Sequence, residues 1–379
     1  MRAAIIDDGI NNSVQVNHMV HWKVINGVIK KSDGRKDVET HGTTCMKILF
    51  QCYPKASTVV DWDSIEVLNH NNLTCNTESL LAALDFCKLR ACKFVHLSIG
   101  SVYPKDERLL ATKIFELFKA GIIIVSAMSN KARRTYPASL PGVIAVAAAR
   151  STGKAPYFAS TPNILQIDFL ANAEHSLIDL NGNLYRTNKS NSYAAPVVSA
   201  EVLKVINDNH CGSLKEIFSY LKPDSNEESF CCWINQKENF LNKKWTEMDI
   251  QLPICDSRAM IAKRHFQNQA PIVSIEKKVE QGIRFYDQLV EQGYICLEIS
   301  ISDEYVKPVT IGPLEKLAYC YNCDILLVIQ TQKQINQHLF DVCVMEKSKN
   351  LIEMVVSETN KIYYEVKEKA YEKLISILT

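Results

Sequence analysis

The chain has 379 residues, of which 47% are hydrophobic and 22% are charged. This composition excludes a wholly disordered or fibrous protein, and the length indicates two domains. Lys and Arg number 43 and Asp and Glu 42, so the net charge of +1 favours neither nucleic acid nor a membrane surface as a partner. No apolar run approaches the roughly 20 residues of a membrane-spanning helix.

The N-terminus and the cysteines both favour a cytoplasmic protein. Residues Met1–Gly9 contain a very short apolar stretch that is followed at once by acids, unlike a signal peptide. The 13 Cys are an odd number without regular spacing, whereas a secreted protein is expected to pair its cysteines. We therefore predict free thiols in a reducing compartment.

Apolar runs alternate with amphipathic segments through residues 1–205. In chain order, the patterns predict a strand over Ala3–Ile6, a helix over His41–Cys52, a strand over Ser57–Val60, a helix over Thr77–Arg90, a strand over Lys93–Ile99, a helix over Leu109–Ala120, and strands over Gly121–Ala127 and Gly142–Ala148. Strands that alternate with helices predict an α/β fold, in which a mostly parallel sheet carries helices on both faces.

A second α/β pattern begins near residue 270, after the polar, Pro-containing segment Lys222–Ser229. It predicts, in order, a strand over Pro271–Ile275, a helix over Val279–Gln292, a strand over Tyr294–Ile301, a helix over Leu314–Tyr321, a strand over Ile325–Gln330 and a closing helix over Tyr363–Leu378. We predict a first domain at 1–210, a linking segment at 211–265, and a smaller C-terminal α/β domain at 266–379.

Four short segments carry residues suited to catalysis: Asp7-Asp8-Gly9, His41-Gly42-Thr43, Ser129-Asn130 and the run from Ser190 to Pro196. The carboxyl ends of parallel strands are where α/β proteins place their sites. At such an edge, a Ser, a His and an Asp can act as nucleophile, general base and orienting carboxylate. An Asn side-chain amide can donate a hydrogen bond to a developing oxyanion.

The chain order Asp, His, Ser, together with these four motifs, resembles the subtilisin-like serine peptidases, or subtilases, over roughly residues 1–205. The resemblance implies a doubly wound, mostly parallel sheet and a serine endopeptidase. It implies that Ser192 attacks the scissile carbonyl, that His41 takes its proton, that Asp7 orients His41, and that Asn130 donates to the oxyanion.

The resemblance also implies where the substrate binds. Leu97–Gly100 resembles the family strand that pairs with the substrate backbone, so Ser98, Ile99 and Gly100 are candidate substrate-binding residues. Ser129 precedes the oxyanion Asn. Lys131, Arg133 and Arg134 follow it, in the segment that walls the pocket for the residue before the cut. Cations there favour an acidic substrate side chain, and the alternative is that they are solvated surface cations.

Three departures from the family pattern keep a second function open. Ser190 stands where the family has Gly two residues before the nucleophile, Asn191 replaces the following Thr, and Ser129 replaces the Gly before the oxyanion Asn. A side chain at these positions narrows a site where substrate backbone approaches closely. The alternative is therefore a catalytically impaired subtilase fold that binds peptides or regulates a partner. Asp8 also leaves open which acid serves His41.

We expect no cofactor, although subtilases often bind a structural calcium whose loop the sequence does not locate. Cys320-x-x-Cys323 and Cys231-Cys232 lack a second pair at zinc spacing and are expected to be ordinary thiols. No phosphate-binding loop follows the strand at 271–275. The expected partner is a peptide or protein substrate, and the sequence does not indicate the oligomeric state.

The start of the chain also suggests a role. Only six residues precede Asp7, so we expect neither a signal peptide nor the inhibitory prodomain of secreted subtilases. A peptidase without that control must be selective, which suits limited proteolysis such as removal of a leader from a ribosomally made peptide. We expect the C-terminal domain to bind substrate or to brace the peptidase domain.

Overall fold

The protein is described by a computed structural model. It covers residues 1–36, 38–69, 73–149, 155–160, 165–208, 212–222, 244–246, 270–301, 323–331, 340–356 and 359–378, with Leu314, Leu317, Ala318 and Tyr321 besides. The described residues fall into two compact units, one up to residue 222 and one from residue 244 onward.

The first unit is built on a sheet of nine described strands in the order β3-β2-β4-β1-β5-β6-β7-β9-β8. The strands are β1 (Arg2–Asp7), β2 (His18–Ile25), β3 (Val28–Ser32), β4 (Asp61–Glu66), β5 (Phe94–Leu97), β6 (Ile123–Ala127), β7 (Val143–Ala148), β8 (Tyr157–Ala159) and β9 (Phe169–Ala171). From β2 through β7 to β9 every neighbouring pair is parallel, and only the outermost strands β3 and β8 are antiparallel. The predicted α/β fold is confirmed.

Helices cover the sheet. They are α1 (His41–Cys52), the single turn α2 (Ala56–Val59), α3 (Thr77–Leu89), α4 (Glu107–Lys119), α5 (Asn191–Asp208) and α6 (Leu214–Leu221). Buried residues of α1, α5 and α6 share one core with Ala3 and Ile5 of β1. Ala4 and Ile6, which point to the opposite face, are also fully buried. Both faces of β1 are therefore covered.

The prediction of a strand over Ser57–Val60 is wrong. Residues 56–59 form the turn α2, in which Thr58 and Val59 donate backbone hydrogen bonds to Lys55. The strand β4 begins at Asp61 instead and carries buried acids. Cations compensate these charges: Arg90, for example, contacts Asp63 at 3.1 Å. Because the strand contains acids, it lacks the apolar pattern by which strands are predicted.

A hairpin that the apolar pattern does not reveal forms one edge of the sheet. Strands β2 and β3 pair antiparallel, and Asn26 and Gly27 between them have φ values of 51° and 72°. Positive φ at both positions is the geometry for which Asn-Gly turns are favoured. A smaller hairpin joins β10 (Ser176–Ile178) to β11 (Leu184–Arg186).

The second unit contains a seven-stranded sheet in the described residues, in the order β12-β14-β15-β13-β16-β17-β18. Its strands are β12 (Lys244–Thr246), β13 (Ile272–Glu276), β14 (Cys296–Ser300), β15 (Ile325–Gln330), β16 (Val342–Ser348), β17 (Leu351–Val356) and β18 (Lys361–Val366). The first five in that order are parallel, and β17 and β18 add as antiparallel strands.

Two helix predictions in this unit are wrong in their extent. The helix predicted over Val279–Gln292 is two helices, α7 (Lys277–Ile283) and α8 (Phe285–Glu291), because Arg284 between them takes a left-handed φ of 58°. The closing helix is α9 (Ala370–Leu378) alone. The residues before it form β18, which is held by pairing with β17 rather than by local helix propensity.

Other predictions concern the joining segment. Residues 223–243 and 247–269, with Cys231 and Cys232, lie outside the described residues, as does Cys320, whereas Cys323 is buried. Helix α6, which falls in the predicted linking segment, packs its buried face into the core of the first unit. None of the helices in the described part of the chain combines the length and apolar character of a membrane span.

Candidate active site

The four sequence motifs meet at the carboxyl edge of the first sheet. Asp7 is the last residue of β1, Asn130 follows β6, and Ser98 follows β5. His41 is the first residue of α1, and Ser192 is the second residue of α5. Parallel strands bring these chain segments together because their carboxyl ends lie on one edge.

Asp7 and His41 form a close pair. His41 Nδ1 lies 2.8 Å from Oδ1 and 3.0 Å from Oδ2 of Asp7. The Asp7 side chain is buried, whereas that of His41 retains about 13% of its exposure. One nitrogen of the imidazole is thus held by a carboxylate, which leaves Nε2 to exchange a proton with another group.

Burial and mutual attraction act in opposite directions on this pair. Burial tends to lower the pKa of His41, but the charge and hydrogen bond of Asp7 outweigh it, and the pKa is raised. Burial tends to raise the pKa of Asp7, yet the attraction to His41 leaves it lowered. The site therefore favours an ionised Asp7 and stabilises a protonated His41, as a general base requires.

Asp8 has a separate task. Its Oδ1 accepts from the N–H of Gly42 at 2.8 Å and its Oδ2 accepts from the N–H of His41 at 3.1 Å. A carboxylate at a helix N-terminus stabilises the unpaired N–H groups of the first turn. Burial and the charge of Asp7 raise the pKa of Asp8. Asp7 thus serves the His41 ring, and Asp8 serves its backbone.

Ser192 is half-buried in the first turn of α5. Among the described residues, its Oγ makes a hydrogen bond with Ser190 Oγ at 3.0 Å and none with His41. The next residue, Tyr193, places its ring 5.4 Å from the ring of His41, between centroids. In the described residues, the predicted nucleophile therefore lies at the same edge of the sheet as the predicted base, without a hydrogen bond to it.

Asn130 is held in a defined orientation. Its Oδ1 accepts from the N–H of Asn191 at 2.8 Å, which directs Nδ2 to Ser190 Oγ at 3.1 Å. Asn191 also donates from its side chain to the carbonyl oxygens of Met128 and Ser129 at 3.1 and 3.0 Å. Asn191 thus fastens the segment carrying the predicted oxyanion donor to the start of α5.

A chain of buried and partly buried hydrogen bonds runs from Ser192 to Ser199. Ser98 Oγ donates to the carbonyl oxygen of Ser192 at 3.3 Å and lies 2.7 Å from His96 Nε2. His96 Nδ1 lies 2.8 Å from Ser199 Oγ. His96 is fully buried, and burial lowers its pKa to about 4, so the ring is neutral near pH 7. The two ring nitrogens of His96 thus connect β5 to α5, one through Ser199 and the other through Ser98.

The predicted substrate-pairing segment abuts the segment that follows Asn130. Ser101 and Tyr136 exchange backbone hydrogen bonds of 2.8 and 2.7 Å. A Cβ added to Gly100 would come within 2.6 Å of Thr135 Cγ2, so the two segments touch. Thr135 Oγ1 also accepts from the N–H of Ser129 at 2.8 Å. Thr135 therefore contacts both Gly100 and Ser129.

The basic residues of this segment differ in burial. Arg134 is about 1% exposed, and its guanidinium carbon lies 5.7 Å from the centre of the Tyr136 ring. Arg133 is half-buried and Lys131 is exposed. Contact of these cations with a substrate stays a prediction, as do the substrate roles of Ser98, Ile99, Gly100 and Ser129.

A single group in the described residues brings three potential metal ligands within 4.8 Å of one another: Asp7, His41 and Cys45. Asp7 and His41 already bind each other, and burial raises the pKa of the Cys45 thiol well above its ordinary value. A protonated thiol is a poor metal ligand. The group fits a hydrogen-bonded catalytic pair better than a metal site.

Three contributors to this site were not predicted from the sequence: the His96 link, the Asn191 hydrogen bonds that hold Asn130, and the ring of Tyr193. One signal was available for the first of them. His96 is a polar residue inside the apolar run Phe94–Leu97 and two positions before Ser98. Nothing in the sequence marks the other two, because their partners lie far along the chain.

Comparisons with known proteins give a family and a set of similar folds. No curated protein matches the chain. Similar solved structures include a lanthipeptide protease, with 17% identity, a TM-score of 0.48, and coverage of 59% of this chain and 80% of that chain. The prenylagaramide maturation protease PagA has 18% identity, a TM-score of 0.43, and coverage of 64% and 93%. A cold adapted subtilisin-like serine proteinase has 17% identity, a TM-score of 0.46, and coverage of 60% and 83%.

The family comparison covers most of the first unit. A model of the subtilase family matches residues 3–222, which is more than half of the 379 residues. The matched range contains all four motifs and the carboxyl edge at which they meet. The chain belongs to the subtilase family of serine peptidases.

Proposed function

We propose that this subtilase is an endopeptidase that uses Ser192, His41, Asp7 and Asn130 to cleave a specific peptide or protein substrate. The observation that carries the proposal is the buried Asp7 carboxylate 2.8 Å from His41 Nδ1, at the edge that also presents Ser192 and Asn130. A buried carboxylate that raises the pKa of an adjacent imidazole prepares it as a general base.

The chemistry follows from these positions. Ser192 Oγ forms a bond to the scissile carbonyl carbon while its proton passes to His41 Nε2, and the carbonyl electrons move to oxygen. Asn130 Nδ2 donates to that oxygen. Collapse breaks the C–N bond as His41 protonates the leaving amine. Water, deprotonated by His41, then hydrolyses the acyl-enzyme and frees Ser192.

We assign the enzyme to limited proteolysis, such as the removal of a leader from a ribosomally made peptide, rather than to general turnover. Side chains of Ser129 and Ser190 stand at positions where a subtilase has glycine, and Thr135 packs against Gly100. A crowded site admits fewer sequences. We assign the C-terminal unit to substrate binding or to bracing of the peptidase unit, and we place the enzyme in the cytoplasm.

The primary test is labelling of the full-length protein with a fluorophosphonate, followed by mass spectrometry of the adduct. We expect labelling of Ser192, and its loss in Ser192→Ala. The matched control is Ser57→Ala, whose hydroxyl donates within its own turn, to the carbonyl oxygen of Pro54 at 2.8 Å. A folded wild-type protein that neither reacts nor cleaves a peptide library would contradict the proposal.

The same library measures specificity. If Arg133 or Arg134 faces the residue before the cut, Asp or Glu is enriched there and the enrichment falls in Arg133→Ala. A flat profile at that position would reject the acidic preference. A profile with many unrelated cleavage sites would favour general turnover over limited proteolysis.

One observation favours a second candidate function, a peptide-binding protein without turnover. Ser192 Oγ is engaged by Ser190, and Asn130 Nδ2 is engaged by the same hydroxyl. Tight binding of library peptides that are never cleaved, by wild type and Ser192→Ala alike, would support this candidate.

A further inference from the structure

Ser190 places a hydroxyl between the nucleophile and the predicted oxyanion donor. Its Oγ lies 3.0 Å from Ser192 Oγ and accepts from Asn130 Nδ2 at 3.1 Å. The residue is half-buried in the turn that leads into α5. Glycine, which the subtilase motif has at this position, offers no such group.

These two contacts define where the hydroxyl stands relative to the reaction. The oxyanion of a tetrahedral intermediate shares its carbon with Ser192 Oγ, and it must lie about 3 Å from Asn130 Nδ2 for that donor to act. A hydroxyl within hydrogen-bond distance of both Ser192 Oγ and Asn130 Nδ2 therefore borders the position of the oxyanion. A rotation of its own side chain is enough to aim its proton there.

The hydrogen bonds around Ser190 indicate which atoms can accept the proton of its hydroxyl. Ser190 accepts from Asn130 Nδ2, so its own proton is left for Ser192 Oγ or for Asn130 Oδ1, which is 3.4 Å away. Asn130 Oδ1 already accepts from the N–H of Asn191. In the resting enzyme the Ser190 proton thus has only neutral, partly occupied acceptors.

We propose that Ser190 is a catalytic residue, whose hydroxyl donates a hydrogen bond to the oxyanion in addition to the one from Asn130 Nδ2. A bond to a charged oxygen is roughly twice as strong as one to a neutral acceptor. Ser190 therefore binds the transition state more tightly than the ground state, which accelerates the chemical step. This inference rests on the proposed peptidase function and extends it.

The test compares Ser190→Ala and Ser190→Gly with Ser190→Thr, which keeps a hydroxyl, in the full-length protein. The substrate is a quenched fluorescent peptide chosen from a library for cleavage by the wild type. We expect Ser190→Ala and Ser190→Gly to lower kcat by about 10–100-fold, with KM nearly unchanged. We expect Ser190→Thr to retain most of kcat. Ser57→Ala is the control for a serine hydroxyl far from the edge.

A second readout separates this role from a structural one. The hydroxyl of Ser192 adds to the carbonyl carbon of a peptidyl trifluoromethyl ketone and gives a hemiketal oxyanion. A product peptide binds without forming an oxyanion. Ser190→Ala should raise the inhibition constant of the ketone by the same factor by which it lowers kcat, and leave the dissociation constant of the product unchanged. Equal weakening of both ligands would overturn the inference and indicate a general disturbance of the site.

The inference and the proposed function fail differently. A kcat that equals or exceeds the wild-type value in Ser190→Ala or Ser190→Gly would overturn the inference alone, because the hydroxyl would then be idle or an obstruction. A folded wild-type protein that neither cleaves nor reacts with fluorophosphonate would overturn both.

Discussion

Ser98 Oγ donates a hydrogen bond to the carbonyl oxygen of Ser192, over 3.3 Å. This contact joins the end of β5 to the predicted nucleophile. Behind it, His96 lies within 2.8 Å of both Ser98 Oγ and Ser199 Oγ. A consistent assignment has Ser199 donating to Nδ1 and Nε2–H donating to Ser98. We infer that the position of Ser192 depends on this neutral, fully buried imidazole.

Replacing His96 by leucine tests this dependence. We expect His96→Leu to lower the free energy of unfolding by about 1–3 kcal/mol for each hydroxyl left without the imidazole, and to lower kcat more than it raises KM. His96→Gln retains two polar groups and should recover part of both losses. Denaturant unfolding and steady-state kinetics measure the effects, with the exposed His18→Leu as control. A kcat unchanged in His96→Leu would show that the link does not position Ser192.

The buried imidazole also predicts how stability depends on pH. Burial lowers the folded-state pKa of His96 to about 4, so between the unfolded value of about 6.5 and pH 4 only the unfolded chain gains a proton. His96 therefore makes the protein less stable as pH falls through this window, by about 3 kcal/mol at its end. The drop should be smaller in His96→Gln than in wild type. Parallel stability curves for the two proteins would contradict this assignment.

In the mechanism we propose, Asp7 is expected to set the pH dependence of activity. Because the pKa of His41 is raised, the acid limb of kcat/KM should lie above pH 6.5, the ordinary value for histidine, and activity should fall as pH drops through it. Asp7→Asn removes the attraction that offsets burial, so the limb should move to lower pH. It should also lower kcat by about 10⁴-fold, because the imidazole tautomer is no longer fixed. The matched acid is Asp33, which is exposed, and Asp33→Asn should leave the profile unchanged.

The shifted pKa values of His41 and Asp7 also predict how the stability of the folded protein depends on pH. The raised pKa of His41 contributes stability that is fully present below about pH 6.5 and is lost as pH rises through its folded-state value. The lowered pKa of Asp7 contributes stability above its unfolded value, lost as pH falls through the folded one. An acid limb at the same pH in wild type and Asp7→Asn would show that another group is titrating.

We predict that Asn191 affects catalysis indirectly, by positioning Asn130. The variant Asn191→Ala loses the donors to Met128 and Ser129 and the acceptor for the N–H of Ala148. We expect a fall in kcat of about 10-fold or more, because a small displacement of the oxyanion donor is costly. The control is Asn183→Ala in the exposed β10–β11 hairpin. In an Asn130→Ala background, Asn191→Ala should cost much less in kcat; full additivity would contradict the proposed route.

We predict that a side chain at position 100 would clash with Thr135, which contacts the predicted substrate-pairing segment at Gly100. A Cβ at this position would lie 2.6 Å from Thr135 Cγ2 and 2.8 Å from the carbonyl oxygen of Tyr136. We expect Gly100→Ala to lower the free energy of unfolding by about 1–3 kcal/mol. Gly212→Ala is the matched control, since no atom lies within 4 Å of its added Cβ. Equal thermal stability of the two variants would show that the segments separate freely.

The strands and helices that the sequence predicts well are those with a simple apolar pattern, such as β1, β6, β7 and α4. Strand β4 was missed because Asp61, Asp63 and Glu66 break that pattern. Its acids are tolerated by distant cations such as Arg90. Arg284, at the break between α7 and α8, has no residue-level signal, because a left-handed arginine is fixed by the surrounding fold.

In the candidate site, too, the residues that could be predicted from the sequence are those with a recognisable local pattern. Asp7, His41, Asn130 and Ser192 could be predicted because a family motif surrounds each of them. The separate tasks of Asp7 and Asp8 could not, because they depend on how α1 enters the sheet edge. The links from His96 to Ser199 and from Asn191 to Met128 connect residues 103 and 63 positions apart, so only the folded chain shows them.

The Asp7–His41 pair is complete within the first 41 residues, whereas Ser192 and its partners Asn130 and Asn191 come from residues 130–192. In the mechanism we propose, the base is therefore synthesised long before the nucleophile. Until α5 has been translated, the growing polypeptide has the Asp7–His41 pair but lacks Ser192. Under that mechanism, hydrolysis begins only after almost the whole first unit has been synthesised.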